Sequence, residues 1–204
     1  MSPTNKEDLK GVYKGLNKLT IVGQKDGEQK PTGLIINFLA RDTADAIPSI
    51  IANIDILSQV IDSIVVVVFE NDSVDNTRLL IKEWAVSAKK NGYIVDLMPC
   101  DILNSHECHL KETHRYDNSG FYQSSIGRMA AYRNYLNDYI VSKYQPKNFG
   151  YLMITDIDLA VSLSPLGILH SIGISEGRAM VARGGKSFCS TLHVIFFDMS
   201  SRVF

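Results

Sequence analysis

Neither sign of charge dominates this sequence: 21 Lys and Arg stand against 22 Asp and Glu, a formal net charge of -1. Phosphate neutralisation along a nucleic acid needs clustered Lys and Arg, so the balance argues against a nucleic-acid partner while still allowing a local basic pocket for one diphosphate. Long hydrophobic runs are missing as well. A spanning helix needs roughly 20 apolar residues, and the longest run here, Ile64 to Phe69, is strand-sized. The opening stretch MSPTNKEDLKGVYKGLNKLT has no apolar core of a secretory signal. Cysteine is scarce: Cys100, Cys108 and Cys189 are odd in number and lack CxxC spacing. Reduced thiols and a cytoplasmic setting are the simplest expectation. GxGxxG, GxxxxGK[ST] and GxSxG do not occur. Their absence lowers the dehydrogenase, kinase and α/β-hydrolase readings.

What is present is the composition of an ordinary globular chain, 45% hydrophobic and 21% charged over 204 residues. That length suits a single α/β domain. Residues 1–32 are polar and rich in Lys, Gly and Asn, and read as an arm or short helix. From residue 33 an alternation begins. Gly33 to Ala40 is a strand-length apolar run, followed by a helical pattern over 46–60 with Pro48 near its start. Ile64 to Phe69 is a continuous β-branched run, the mark of a strand buried on both faces. A polar turn then leads into a helix over 77–90, with Asp75, Asn76 or Ser73 as its cap. Asn91-Gly92 closes that helix, and 93–98 reads as a third strand. After an irregular polar stretch, 125–144 reads as an amphipathic helix with Ile126, Met129, Ala130, Arg133, Leu136 and Ile140 near one face. Residues 150–155 form a fourth strand, 165–172 a short helix, and 179–183 and 192–197 two more strands. The expectation is one α/β domain over 33–204 with a mostly parallel central sheet flanked by helices.

Ligands of such sheets lie beyond the carboxyl ends of the strands, so the polar residues there carry the chemistry. Asp156-Ile157-Asp158 follows the fourth strand directly. Two carboxylates there can share one hard divalent cation, Mg²⁺ or Mn²⁺, which keeps positions open for phosphate oxygens; the alternative is a pair that caps a turn. The cluster Glu70-Asn71-Asp72-Ser73 ends the second strand. With Ala40 and Arg41 it suits a nucleoside, because carboxylates accept bonds from a base N–H and from ribose hydroxyls. Arg128 and Arg133, on the helix over 125–144, suit phosphate binding or a solvated face. The segment 104–122 reads as a lid. Its histidines, His106, His109 and His114, match no closed zinc site. His193, inside an apolar run, reads as a core histidine.

Three motifs in order, Phe69-Glu-Asn-Asp-Ser-x-Asp-x-Thr77, Arg128-x-Ala130-x-x-Arg133-Asn134 and Thr155-Asp-Ile-Asp158, resemble those of GT-A glycosyltransferases. The fungal capsule-associated α-1,3-mannosyltransferase type is similar, as are glycosyltransferase domains of large algal viruses. The resemblance runs from about Leu34 to Phe204. It implies a GT-A, Rossmann-like fold and a nucleotide-sugar donor; the expected donor is uridine-linked first and guanosine-linked second. It also implies a Mn²⁺ or Mg²⁺ cofactor and a glycan hydroxyl acceptor. By similarity Asp156 and Asp158 match the metal-binding pair, Glu70 and Asp72 lie near the nucleoside, and Arg128 and Arg133 lie beside the donor. Phe197-Asp198 matches a pair lining the acceptor side. That makes Asp198 the candidate general base of an inverting reaction, which needs a base near the acceptor hydroxyl; the alternative is an aspartate that caps the turn before Met199-Ser200-Ser201. Such enzymes usually continue well past this point, so the chain is expected to be a compact version or one domain of a longer protein. A metal-dependent nucleotidyltransferase or phosphohydrolase, or a non-catalytic nucleotide-sugar-binding module, are the rival expectations.

Overall fold

A computed structural model describes residues 33–59, 61, 63–100, 125–144, 150–157, 164, 165, 167–169, 180–183 and 193–198; for 125–128, 180–183 and 193–198 only the backbone is considered. Six strands form one sheet in the order β3-β2-β1-β4-β6-β5. They are β1 (Gly33–Ala40), β2 (Ser63–Glu70), β3 (Ile94–Pro99), β4 (Tyr151–Asp156), β5 (Met180–Arg183) and β6 (His193–Asp198). The first four in spatial order are parallel. β6 runs antiparallel to β4, and β5 antiparallel to β6. The α/β class and mostly parallel sheet expected from the alternation are therefore what the chain forms.

Flanking the sheet, among the described residues, are α1 (Ile47–Leu57), α2 (Thr77–Lys90) and α3 (Ser125–Tyr144). The side-chain period of two divides β1 and β2 between two cores. On one face Leu34, Ile36, Phe38, Val66 and Val68 pack with Ile50 and Ile54 of α1 and with Ile81 and Trp84 of α2. On the other, Ile35, Val65, Val67 and Phe69 pack with Tyr132, Leu136 and Ile140 of α3. Phe69 stacks on Tyr132 at 4.7 Å between ring centroids. β2 is buried from Ile64 to Glu70, which is why its sequence is continuous rather than alternating. Each fully buried Val or Ile there contributes on the order of 1.5–3 kcal/mol. Met129, expected on the inward face of α3, is exposed, while Tyr132 takes an inward position. The buried residues Tyr132, Leu136 and Ile140 follow an i, i+4 row that Met129 does not share.

Helix ends follow local chemistry. The Asn76 side chain makes no capping bond; instead Asp75 Oδ1 accepts the Thr77 N–H at 2.9 Å. At the other end Gly92 adopts φ +85°, and the Gly92 and Tyr93 N–H groups donate to the Lys89 and Ala88 carbonyls. This is a Schellman closure, which favours glycine at the left-handed position. Tyr93 then accepts from Trp84 Nε1 at 2.7 Å and donates to Asp55 at 2.8 Å, tying α2, β3 and α1 together.

Cys100, buried just after β3, is disulfide-bonded. This corrects the expectation that all three cysteines are reduced. An odd count leaves one thiol over but does not prevent the other two from pairing, and disulfides persist in oxidising rather than cytosolic compartments. Its possible partners in the sequence, Cys108 and Cys189, lie outside the described residues. Among the described residues no helix is long and apolar enough to cross a membrane.

Candidate active site at the carboxyl ends of the parallel strands

From β1 the chain steps to β2 and β3 on one side, then crosses back to β4 on the other. The strand order therefore reverses between β1 and β4. In open α/β sheets the crevice at such a reversal receives the ligand. Here its walls are the loop after β1, the loop after β2, and Asp156 at the end of β4.

The two loops are stitched together. The Asp42 N–H donates to Ser73 Oγ at 3.1 Å, and the Val74 N–H donates back to Asp42 Oδ1 at 2.7 Å. The Thr43 N–H donates to Thr77 Oγ1 at 2.8 Å, and the Ala44 N–H to Asp75 Oδ2 at 3.0 Å. Some burial works against the Asp75 carboxylate, but bonds from Thr77 and Ala44 outweigh it and hold its pKa below the ordinary value. Asp42 and Asp72 sit at φ +48° and +47°, the left-handed region that side-chain-bearing residues seldom occupy. Strain of this kind costs about 1–3 kcal/mol per residue and collects at ligand clamps. In the same loops, the buried atoms Thr43 Oγ1 and Asn71 Oδ1 have no hydrogen-bond partner among the described residues.

Glu70 lies at this edge, but fully buried. One carboxylate oxygen accepts the Ser73 N–H at 2.6 Å and the other accepts from Arg78 Nε. It anchors the β2 loop from beneath. Ala40 is buried and its carbonyl accepts the Asn71 N–H at 2.9 Å, whereas Arg41 is exposed, 3.8 Å from Asp42. Asp72 is half-buried in the loop between Glu70 and Ser73.

Asp156 is level with Leu39 in the β1–β4 register, and the Ile157 N–H donates onward to the Leu39 carbonyl at 3.0 Å. The backbone thus stays paired up to the turn and carries Asp156 to the α3 side, in phase with Leu152 and Ile154. There Arg133 Nη2 bonds Asp156 Oδ1 in a close ion pair. Arg133 Nη1 donates to the Asn37 side-chain oxygen at 2.9 Å and to the Asn37 carbonyl at 3.2 Å. Asn37 Nδ2 donates in turn to Asn137 at 3.2 Å. Burial lowers the Arg133 pKa and the Asp156 charge offsets this in part; a guanidinium remains charged throughout. Asp156 Oδ2 takes no hydrogen bond from the described residues. A hard carboxylate oxygen at a crevice edge suits Mg²⁺ or Mn²⁺, although no cluster of three or more potential ligands occurs among the described residues. Asp158, the second expected ligand, lies outside them, as do the expected lid 104–122 and its histidines. Arg128 is on the first turn of α3, and its side chain is outside the description.

Asp198 is not brought to this crevice. Because β6 is antiparallel, its last residue pairs with Tyr151, at the opposite end of β4 from Asp156. Five residues at about 3.3 Å each separate the two levels by about 16 Å. The same register carried onward sets His193 level with Asp156, and β5 places Arg183 beside His193. Sequence reasoning passed over Asn37 as well. Its signal was a lone amide inside the apolar run Gly33–Ala40.

No family model and no characterised protein sequence matches the chain. Among solved structures, the chain is similar to a mannosyltransferase from Pyrobaculum calidifontis determined with GDP-Man and Mn²⁺. The two share 13% identity with a TM-score of 0.49; the match covers 95% of this chain and 55% of that one. The chain thus spans about half the length of that enzyme.

Proposed function

We propose that the chain is a metal-dependent glycosyltransferase domain of the GT-A type. It would transfer a sugar from a nucleoside diphosphate sugar to a glycan hydroxyl. The observation that carries the reading is Asp156. A turn-capping aspartate needs no help from other elements, yet this one is paired with the half-buried Arg133, itself bonded to the buried Asn37, at the point where the strand order reverses. The motifs shared with GT-A enzymes point the same way.

In this reading Asp156 and Asp158 hold Mn²⁺ or Mg²⁺, which when bound neutralises charge developing on the leaving diphosphate. The nucleoside lies over Ala40, Arg41 and Asp72, where the strained Asp42–Ser73 clasp fixes the loops. Glu70 supports that surface from below rather than touching the base. Arg128, at the start of α3, serves the phosphates. Uridine-linked donors come first and guanosine-linked donors second, to be tested side by side. If the reaction is inverting, the base comes from the level of Asp156, with His193 the nearest candidate by register, rather than from Asp198. The Cys100 disulfide favours an oxidising compartment as the place of maturation.

Mass spectrometry of products after incubation with UDP- and GDP-sugars, Mn²⁺ and glycan acceptors tests the proposal. A glycoside with released nucleoside diphosphate supports it. Nucleotide cleavage without transfer would favour the phosphohydrolase or nucleotidyltransferase reading, and an unaltered donor a binding module.

A further inference from the structure

Asn37 is out of place in β1. It lies at the centre of an apolar strand, fully buried, between strands that contribute Val67 and Ile154 at the same level. A valine or isoleucine would extend the adjoining core. Burying an amide without partners costs on the order of 1–3 kcal/mol by protein mutational data, and this one escapes that cost only by bonding two residues of α3. Arg133 and Asn137 are one helical turn apart and both turn toward the sheet, among Tyr132, Leu136 and Ile140. The Arg133 fork is thereby divided: one nitrogen is fixed on Asn37 and the other on Asp156.

We propose that Asn37 and Arg133 are positioning residues that fix the Asp156 carboxylate through Oδ1 and so reserve Oδ2 for the cation. The inference rests on the proposed metal role of Asp156. A planar guanidinium bound at both ends admits few orientations, and it transmits the rigidity of the sheet centre to a side chain at the sheet edge. The arrangement couples three elements, β1, α3 and β4, so the carboxylate is ordered before any ligand arrives. Metal ligands held by such outer partners lose about 10–100-fold in affinity when the partner is removed. Lysine cannot replace Arg133 here. It carries the charge but not the fork, and cannot span Asn37 and Asp156 together.

The test is direct titration of Mn²⁺ alone, followed by electron paramagnetic resonance, on the full chain and three variants. Asp156→Ala reports the metal site itself. Asn37→Leu removes the anchor while leaving every charge in place, and Arg133→Lys keeps the charge while removing the fork. Thermal melts confirm folding, and Asn137→Ala, which loosens Asn37 from a half-buried position, substitutes for Asn37→Leu if that variant does not fold. The expected result is loss of Mn²⁺ binding in Asp156→Ala and weakening of about 10-fold or more in both Asn37→Leu and Arg133→Lys. Affinities within twofold of wild type in those two, alongside loss in Asp156→Ala, overturn the positioning role alone. No Mn²⁺ binding by the wild type, or binding that Asp156→Ala does not change, overturns the metal reading and this inference with it.

Discussion

Asp156 and Glu70 both end buried parallel strands at the same edge of the sheet, yet their surroundings assign them different work. Glu70 has both oxygens occupied and no exposure. Its removal takes the acceptor from the Ser73 N–H. We predict that Glu70→Ala destabilises the fold by about 1–3 kcal/mol, the cost of leaving a hydrogen-bonding group unpaired. Urea denaturation measures this, and a change below about 1 kcal/mol would be within the range of exposed pairs and would refute the anchoring role. Asp96 illustrates a third use of a carboxylate. Burial disfavours its charge, but Lys143 at 2.7 Å, Tyr139 at 2.6 Å and Tyr144 at 2.7 Å outweigh that and lower its pKa. A depressed folded pKa means that the contribution is present above the unfolded value, about 3.9, and is lost as pH falls through the lower folded value. Melting temperatures of wild type and Asp96→Asn should therefore differ most near neutrality and converge below about pH 4. A constant gap across that range would contradict the linkage.

At the scale of elements, the sequence was most legible where one period ran unbroken. The β-branched run of β2 and the span of α2, with its Asn91-Gly92 stop, were evident because burial on both faces and a left-handed glycine each leave a local mark. Strand direction leaves none. The run Val194 to Phe197 reads the same in either orientation, and only the ladder shows that β6 opposes β4. That is why Asp198 was expected at a strand end lining the acceptor side; the interlock of the β1 and β2 loops, made by residues 31 to 34 positions apart, leaves no local mark either. The place of Asp156 at the end of β4 was legible, since a carboxylate ending an apolar strand is a local pattern; Arg133 was expected beside the donor, and its pairing with Asp156, 23 positions away, left no local mark. The register yields a prediction for the mechanism. Asp198→Asn should keep turnover within a few-fold of wild type in the donor assay. A loss of 100-fold or more, the range of about 10²–10⁴ expected for a general base, would show that Asp198 reaches the acceptor after all.

For the whole molecule, the four-stranded parallel core carries the crevice and the antiparallel pair β6–β5 extends the sheet beyond it. Cys100, just past the carboxyl end of β3, is disulfide-bonded. With three cysteines in the chain, alkylation of the unreduced, unfolded protein should modify one, and alkylation after reduction all three, as read by intact mass. Labelling of all three before reduction would return the chain to the reduced state. In the proposed function Asp156 binds the cation of a nucleotide-sugar complex at the reversal between β1 and β4. Crystals soaked with Mn²⁺ and either UDP or GDP test it most directly, because manganese is located by its anomalous scattering. The expected result is an anomalous peak at the Asp156 carboxylate, with the nucleotide ordered over the loops after β1 and β2. An ordered nucleotide with no manganese at Asp156, or one bound elsewhere on the molecule, would contradict it.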